Sequence, residues 1–497
     1  MDVPVKENVL WRVCPARYIL AVLGSIGFAI VYGLKVNLSV AMVGMLNHTA
    51  LRLAQGSEDG SNVTKGSIGS GDEECTPTSG NSHTTELDGP FEWPSNIQGI
   101  VLSCYFWGYF VSQLPAARIA ELYSAKWVMF FSVFINVVCT LLTPVMCELH
   151  YVAAVFMRIG EGIGGGVTFP AMHTLLSKWA PPSERSFMAA LTYAGTSLGT
   201  VISMLMAGVL TAHVGWKSVF YVMGGLSLIW CVLWVVLVQD SPQQQPFMTL
   251  GERTMILSAL GNQGKQKQKE NLPVPWRAVF TSPAFLSILV AHTCSNFGWY
   301  MVLIELPFYM KQVLKFNMTE NALAVSMPFL SLWFFSILLS RTLDWLRGKS
   351  YITTTTARKI GTIFASAVPA ACLLAICYIG CNRSAAVALM ALAVTSIGGM
   401  FCGFLSNHID ISPNFAGTLM AITNTAATVP GIVVPIFVGY VTHGNQTISA
   451  WRKIFFTTIG LYVVEVITYT LFGSGEEQPW NKVKTEDEKE NKPLNNV

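Results

Sequence analysis

The segment from Arg158 to Ser186, RIGEGIGGGVTFPAMHTLLSKWAPPSERS, places two ionisable side chains inside an apolar stretch. Arg158 and Glu161 are three residues apart, so on a helix they share a face and can neutralise each other. Keeping one charged side chain at the depth of a lipid bilayer costs roughly 2.5–3.5 kcal/mol on insertion scales, so such residues usually have a function. The pair is either an internal brace of a helix-packing face or part of a charged site that lines a path through a membrane. We favour the second interpretation.

Polar side chains interrupt two further apolar segments. Lys35 is followed by Asn37 in the first segment, where the asparagine can bind either the Lys35 ammonium or an anionic ligand. His292, Asn296 and Tyr300 are spaced one helical turn apart in the seventh segment and form a polar stripe. Such a stripe either lines a cavity or joins helices, and we predict that it lines a ligand-binding cavity.

Thr423 and Asn424, in the eleventh segment, are predicted to add to the polar lining of that cavity. His173 and His408 lie in the fourth and tenth segments. A histidine can titrate near neutral pH, but buried polar groups are mostly hydrogen-bonded structural groups, and this is the role that we expect for both.

Charged residues also stand at the ends of apolar segments. Glu184 and Arg185 precede the fifth segment, and Asp410 follows the tenth. We predict that these three side chains form gating or bracing contacts that hold a closed state.

Composition identifies the elements that position these residues. The chain has 497 residues, of which 52% are hydrophobic and only 12% are charged, and its mean hydropathy is +0.48. Soluble domains have about 25% charged residues. Apolar runs long enough to cross about 30 Å of hydrocarbon are predicted at 18–46, 96–116, 126–146, 150–176, 187–212, 216–238, 283–311, 322–344, 359–380, 384–407, 416–441 and 451–473. The sequence therefore predicts an all-α, multi-pass membrane protein with twelve transmembrane helices.

Charge and glycosylation motifs predict the orientation. Basic residues precede the first run and populate the linker after the sixth, which places both termini in the cytosol by the positive-inside rule. Glycosylation sequons follow odd-numbered runs, and Asn47 and Asn62 in the first loop are the acceptors that we predict. The predicted parts are a cytosolic segment 1–17, a six-helix half 18–238 with a luminal or extracellular loop 47–95, a cytosolic linker 239–280, a six-helix half 281–473, and a charged cytosolic tail 474–497.

The two predicted halves share a weak internal repeat. The stretch from Trp179 resembles the stretch from Asp410: when Pro182 is aligned with Pro413, Gly208 meets Gly439. The two copies lie six helices apart and so cross the membrane in the same direction. Parallel halves of this kind hold their ligand site near the midplane, between the halves.

Several motifs carry a family resemblance. They are GLKVNLSVAMV (Gly33–Val43), GVTFPAMHTLLSKWAPPSERS (Gly166–Ser186), YAGTSLGTVIS (Tyr193–Ser203), VPW (Val274–Trp276) and NHIDISPNFAGTLMAITNTAATVPG (Asn407–Gly431). The chain resembles the anion:cation symporters of the major facilitator superfamily, which include sialin, the vesicular glutamate transporters and the sodium–phosphate cotransporters, and it is most like the sialin branch. The resemblance implies the major facilitator fold and cation-coupled transport of anions.

The same resemblance shows three departures from the family. Lys35 stands where the family usually has an arginine, so the positive charge is kept but the two-pronged fork is lost. Arg158 and Glu161 match family residues, whereas Gly165 replaces a second carboxylate that is linked to proton coupling. Ser295 stands where the vesicular glutamate transporters have an arginine, which makes glutamate a poor first expectation.

The expected function is therefore symport of a small organic anion, such as an acidic sugar or a carboxylate, by alternating access. Lys35 and Arg158 are expected to hold the anion, and Glu161 is expected to bind the coupling proton. A sodium-dependent inorganic phosphate cotransporter is the alternative, and a polytopic acyltransferase that uses Asn407 and His408 is a remote one. We expect no enzymatic activity, metal or cofactor beyond a co-transported H⁺ or Na⁺, no nucleic-acid partner, and a monomer in the plasma membrane or in a lysosomal or vesicular membrane.

Overall fold

Twelve long helices cross the structure, a computed structural model that describes residues 15–47, 89–260, 273–305, 309–310, 313–314, 318–442 and 447–481. In chain order they are α1 (Ala16–Met45), α2 (Ser95–Leu122), α3 (Ala125–Leu149), α4 (Tyr151–Trp179), α5 (Arg185–His213), α6 (Trp216–Leu237), α7 (Pro283–Tyr300), α8 (Met318–Gly348), α9 (Thr354–Ile376), α10 (Arg383–Ile411), α11 (Ala416–Thr442) and α12 (Ile448–Phe472). The prediction of an all-α protein with twelve transmembrane helices is confirmed.

Large apolar side chains cover the outside of the bundle as well as its core. Val111, Phe156, Phe334 and Ile436 are each more than 60% exposed. Such a surface requires lipid around it rather than water, because contact between apolar side chains and hydrocarbon has no unfavourable free energy. The helices are therefore apolar on the side that faces lipid, and buried polar side chains lie where helices meet.

Three helices depart from the regular geometry expected of them. α5 is interrupted between Tyr193 and Gly195, and α7 ends at Tyr300 and continues as one π-helical turn at Met301–Glu305, within the predicted run 283–311. α10 changes to a 3₁₀ turn at Gly398–Phe401. A side chain at Gly399 would place its Cβ 2.5 Å from the Gly361 carbonyl oxygen of α9, so the glycine permits this close crossing. Apolar length alone predicts a span but not such local breaks.

The linker between the halves contains structure that its polar composition did not predict. A short helix at Leu250–Ala259 places Glu252 at the start of α1. Its carboxylate accepts hydrogen bonds from the backbone N–H groups of Ala16, at 3.0 Å, and Arg17, at 3.2 Å, and it pairs with the Arg17 guanidinium at 3.0 Å. A negative charge at a helix N-terminus is favourable, so this helix anchors the beginning of the first span.

The end of the bundle at which α1 begins and α12 ends is called the terminal face here, and the opposite end is the far face. Cys381, in the far-face turn between α9 and α10, forms a disulfide bond that the sequence did not predict. Asn47, one predicted glycosylation acceptor, follows α1 at the far face, whereas Asn62 lies outside the described residues.

Candidate functional site

Lys35 lies on α1, past the middle of the bundle toward the far face, and its ammonium is surrounded by aromatic rings from three helices. The distances from Nζ to the ring centroids are 4.7 Å for Phe106, 5.2 Å for Tyr32, 5.3 Å for Tyr105, 5.7 Å for Tyr109 and 5.9 Å for Tyr300. These five rings are called the aromatic cage. Cation–π attraction stabilises an ammonium within about 6 Å of a ring. No carboxylate among the described residues pairs with Lys35. An anionic ligand is therefore the group that can neutralise the ammonium.

Arg158 lies beside the cage and is buried, with 2% of its surface exposed. One terminal nitrogen forms an ion pair with Glu161, and the other donates to the backbone carbonyl of Lys35 at 2.9 Å. The guanidinium also lies 5.3 Å from the centre of the Tyr105 ring. Arg158 therefore connects α4 to the turn of α1 that carries Lys35, and its charge is already balanced.

Glu161 has a second partner on the neighbouring helix. The Thr140 hydroxyl of α3 donates to its carboxylate at 2.9 Å, and the Glu161 residue is 1% exposed. A buried carboxylate needs such compensation, because an unpaired charge in an apolar interior is very costly. The two charges predicted from the sequence thus form one neutral unit.

Gly165 leaves room on α4 for a side chain of the cage. A Cβ atom at this position would lie 2.0 Å from the hydroxyl oxygen of Tyr105. The phenol of a cage residue fills the space that a side chain at position 165 would need.

The polar stripe predicted on α7 divides between two environments. Tyr300 is the α7 member of the cage, and its ring lies 6.1 Å from that of Phe106. Asn296 donates to the Ala427 carbonyl of α11 at 3.0 Å, and the His292 ring lies 3.1 Å from the Thr423 hydroxyl. Tyr300 is thus the one residue of the stripe that belongs to the cage, and His292 and Asn296 join α7 to α11.

The remaining predicted cavity residues have contrasting surroundings. Asn424 donates to the Tyr109 hydroxyl at 2.8 Å, which connects α11 to the cage. Asn37 is 1% exposed, and neither of its amide atoms has a hydrogen-bond partner in this conformation. An unsatisfied buried amide needs a partner, so Asn37 is the more suggestive of the two as a ligand contact.

His173 and His408 meet between the halves, with ring centres 5.5 Å apart. The Tyr193 hydroxyl and the Leu405 carbonyl lie 2.6 and 3.0 Å from the two ring nitrogens of His173. For His408, the corresponding partners are the Leu405 carbonyl at 3.0 Å and the Thr423 hydroxyl at 2.8 Å. Both rings are hydrogen-bonded at both nitrogens, which fits the structural role expected for them.

The terminal face holds the halves together through buried charges. Arg185 of α5 pairs with Asp410 of α10 at 2.8 Å, and Asp410 also pairs with Arg358 of α9 at 2.6 Å. Arg358 donates to the Ser186 hydroxyl at 2.6 Å. Glu184, grouped with these residues in the sequence, instead pairs with Arg17 of its own half at 2.8 Å.

A second set of contacts between the halves was missed in the sequence. The Asp344 carboxylate of α8 accepts from the Phe187 backbone N–H at 2.7 Å, and the Glu121 carboxylate of α2 accepts from the Thr418 N–H at 2.7 Å and its hydroxyl at 2.6 Å. The hydrogen bonds and ion pairs named here join the halves between the middle of the bundle and the terminal face. The terminal face is closed, and the aromatic cage lies on its far side.

Comparisons with known proteins agree with this architecture. The family model for the Major Facilitator Superfamily matches residues 24–435. The chain is 39% identical to sialin from Homo sapiens over 94% of this chain and 91% of that one. It is 34% identical to a putative inorganic phosphate cotransporter from Drosophila melanogaster, covering 96% and 88%, and 33% identical to vesicular glutamate transporter 2 from Homo sapiens, covering 96% and 77%. A solved proton:xylose symporter of the same superfamily shares the fold with a TM-score of 0.66, at 14% identity over 93% of this chain and 97% of that one.

Proposed function

Because the chain belongs to the major facilitator superfamily and resembles anion transporters along nearly its whole length, we propose that this multi-pass membrane protein is a proton-coupled symporter of a small organic anion. Secondary transport of anions follows from the family. The choice of an organic anion and of the proton is our own inference. The choice of an organic anion rests on the aromatic cage around Lys35, and the choice of the proton rests on Glu161 beside Arg158.

The cage favours an organic anion over phosphate. Lys35 supplies a positive charge without a carboxylate partner, and the surrounding rings supply flat apolar walls. A sugar ring or an alkyl chain that carries a carboxylate can pack on such walls while its charge contacts the ammonium. Inorganic phosphate has no apolar surface to bury and would have to give up its hydration. An acidic sugar or another carboxylate therefore matches the site better.

Glu161 provides a means to couple the anion to a proton. In this conformation Glu161 neutralises Arg158, so Arg158 has no charge to offer a ligand. Protonation of Glu161 would remove its negative charge and release one terminal nitrogen of Arg158, while the bond from Arg158 to the Lys35 carbonyl at 2.9 Å keeps the guanidinium beside the cage. One proton and one negative charge would then enter the site together, which is the requirement for symport.

Alternating access would proceed by separating the halves at the terminal face. We infer that this face is cytosolic, because Lys and Arg outnumber Asp and Glu in the predicted segment 1–17 and in the linker 239–280. The disulfide bond at Cys381 supports the same orientation, since disulfides form in extracytosolic compartments. The cage would then receive its anion from the extracellular or luminal side.

The decisive experiment uses the purified chain in liposomes with a panel of carboxylates, acidic sugars and inorganic phosphate. We expect an imposed proton gradient to drive accumulation of one organic anion and a sodium gradient to have no effect. Lys35→Gln should abolish uptake, because the cage would lose its charge. The matched control is Lys217→Gln, at a half-exposed lysine paired with Glu148 at the far face, and it should transport normally. Accumulation of phosphate that follows sodium and ignores pH would overturn the proposal in favour of the phosphate cotransporter.

A second variant tests the coupling role of Glu161. Glu161→Gln should lower gradient-driven accumulation but retain exchange of anion for anion, because the amide cannot bind or release a proton. If proton-driven accumulation survives this substitution at the wild-type level, Glu161 is only the structural partner of Arg158.

A further inference from the structure

Glu465 on α12 is a buried carboxyl that the mechanism above does not use. The residue is 0% exposed, and neither carboxyl oxygen has a hydrogen-bond partner. No cationic side chain pairs with it among the described residues, in contrast to Glu161. An ionised carboxylate in such surroundings is very costly, whereas the neutral acid is tolerated. These surroundings favour the protonated form of the Glu465 carboxyl.

The groups around Glu465 are polar but uncharged. On α9 the Ser366 hydroxyl lies close to the carboxyl but donates to the Thr362 carbonyl at 3.0 Å. On α7 the Cys294 thiol is the ionisable neighbour, and on α12 it is Tyr462, whose hydroxyl is also without a partner. α11 carries no ionisable residue except Tyr440, which is 85% exposed.

A line of hydroxyl groups leads from this carboxyl to the terminal face. Ser366, Thr362 and Arg358 follow one another at one-turn intervals on α9, and the Thr362 hydroxyl donates to the Arg358 carbonyl at 2.9 Å. Arg358 is the residue that pairs with Asp410 where the halves meet. One turn beyond Glu465 on α12, the Tyr469 hydroxyl accepts from Asn407 of α10 at 2.9 Å. The α9–α12 seam thus joins Glu465 to the contacts that close the terminal face.

We propose that Glu465 is a second proton-binding site of the transport cycle, protonated while the terminal face is closed and deprotonated toward that face when it opens. Separation of Asp410 from Arg185 would admit water to the α9–α12 seam, and the proton would pass from the carboxyl to that water. This inference rests on the proposed proton coupling for its place in the cycle, but proton binding by Glu465 can be measured without transport.

The first test is infrared difference spectroscopy of the full chain in lipid across a pH range. A protonated buried carboxyl gives a carbonyl stretching band outside the amide region, and the band should fade as pH rises. Glu465→Gln should remove it, and Glu465→Asp should keep it at a shifted frequency. Glu161→Gln and Tyr462→Phe, which preserve the Glu465 acid, should leave it in place. A band that neither Glu465 substitution changes would overturn the proposal, and Glu465→Asp decides the question even if Glu465→Gln fails to fold.

The second test measures accumulation in liposomes under an imposed tenfold proton gradient. Loss of one co-transported proton lowers the limiting accumulation by about tenfold, since a tenfold gradient supplies about 1.4 kcal/mol per proton. Glu465→Gln should show this decrease with its anion exchange unchanged, and Tyr462→Phe should behave as wild type. Unchanged accumulation in Glu465→Gln would exclude a role in coupling. If the wild-type chain ignores the proton gradient altogether, the proposed function fails, and the infrared band alone decides whether Glu465 binds a proton.

Discussion

Tyr105 takes part in three features of the site at once. Its ring lies 5.3 Å from the Lys35 ammonium and 5.3 Å from the Arg158 guanidinium, and its hydroxyl occupies the space beside Gly165. One phenol therefore contacts the two positive charges of the site, Lys35 and Arg158, and fills the space that a side chain at position 165 would need. A carboxylate at position 165 and a tyrosine at position 105 are alternatives for the same volume.

We expect Gly165→Ala to destabilise the protein by about 1–3 kcal/mol, the usual cost of overpacking, because the new methyl group would meet the Tyr105 hydroxyl. Tyr105→Phe removes that oxygen and leaves the ring Cζ at 3.0 Å, so the double variant should recover part of the loss. Thermal unfolding in detergent measures both effects. Gly208→Ala is the control, since nothing lies within 4 Å of a Cβ at that position. Equal losses in the two single alanine variants would refute the steric explanation.

At the scale of helices, α10 connects the site to the terminal face. Its glycine-rich 3₁₀ turn lies against α9, and the following helix at Phe404–Ile411 carries both His408 and Asp410. His408 bonds to Thr423 of α11, and Asp410 pairs with arginines of α5 and α9. This short helix therefore joins both halves, and its displacement would break all of these contacts together.

Asp410→Asn is expected to shift the protein toward opening at the terminal face, because it leaves Arg185 and Arg358 without their shared carboxylate. Removing one partner of a buried ion pair costs about 3–5 kcal/mol, more than enough for a tenfold change in population. Ser177→Cys reports the opening, since Ser177 lines a cavity of about 30 Å³ between the halves. A membrane-impermeant maleimide should label this cysteine at least about tenfold faster in the Asp410→Asn background. The control is Glu148→Gln, which removes an exposed ion pair at the far face and should leave the labelling rate unchanged. If Asp410→Asn also leaves the labelling rate unchanged, Asp410 does not hold the terminal face closed.

Sequence patterns predicted the helices more completely than their contacts. The length of an apolar run predicts a transmembrane helix, and the three-residue spacing of Arg158 and Glu161 predicts that they share a helix face. The helices and this ion pair could therefore be predicted from the sequence. The aromatic cage could not be predicted from the sequence, because its rings come from α1, α2 and α7 and no local pattern shows which rings turn toward Lys35. Arg358 was overlooked because the predicted ninth run begins one residue after it.

At the scale of the whole molecule, the two halves differ in their chemistry. The N-terminal half holds the Arg158–Glu161 ion pair beside a cage around Lys35, whereas the described part of the C-terminal half contains an acid without a partner on α12, Glu465. Their contacts are concentrated on one side of the middle of the bundle. A transporter built in this way can open at one end only by breaking buried ion pairs, and those pairs are reformed when the halves close again.

A cross-link between the halves at the terminal face should therefore trap the state described here. Glu121 of α2 and Thr418 of α11 are suitable positions, because the Glu121 carboxylate accepts two bonds from Thr418, at 2.7 and 2.6 Å. In a Glu121→Cys and Thr418→Cys double variant, a short cleavable thiol cross-linker should abolish net transport while anion binding from the far face persists, because the aromatic cage lies beyond the locked contacts. Cleavage of the linker should restore transport, and each single cysteine variant treated with the same reagent serves as the control. If binding is lost together with transport in the cross-linked protein, the cage is reached from the terminal face, and the direction of access inferred here is wrong.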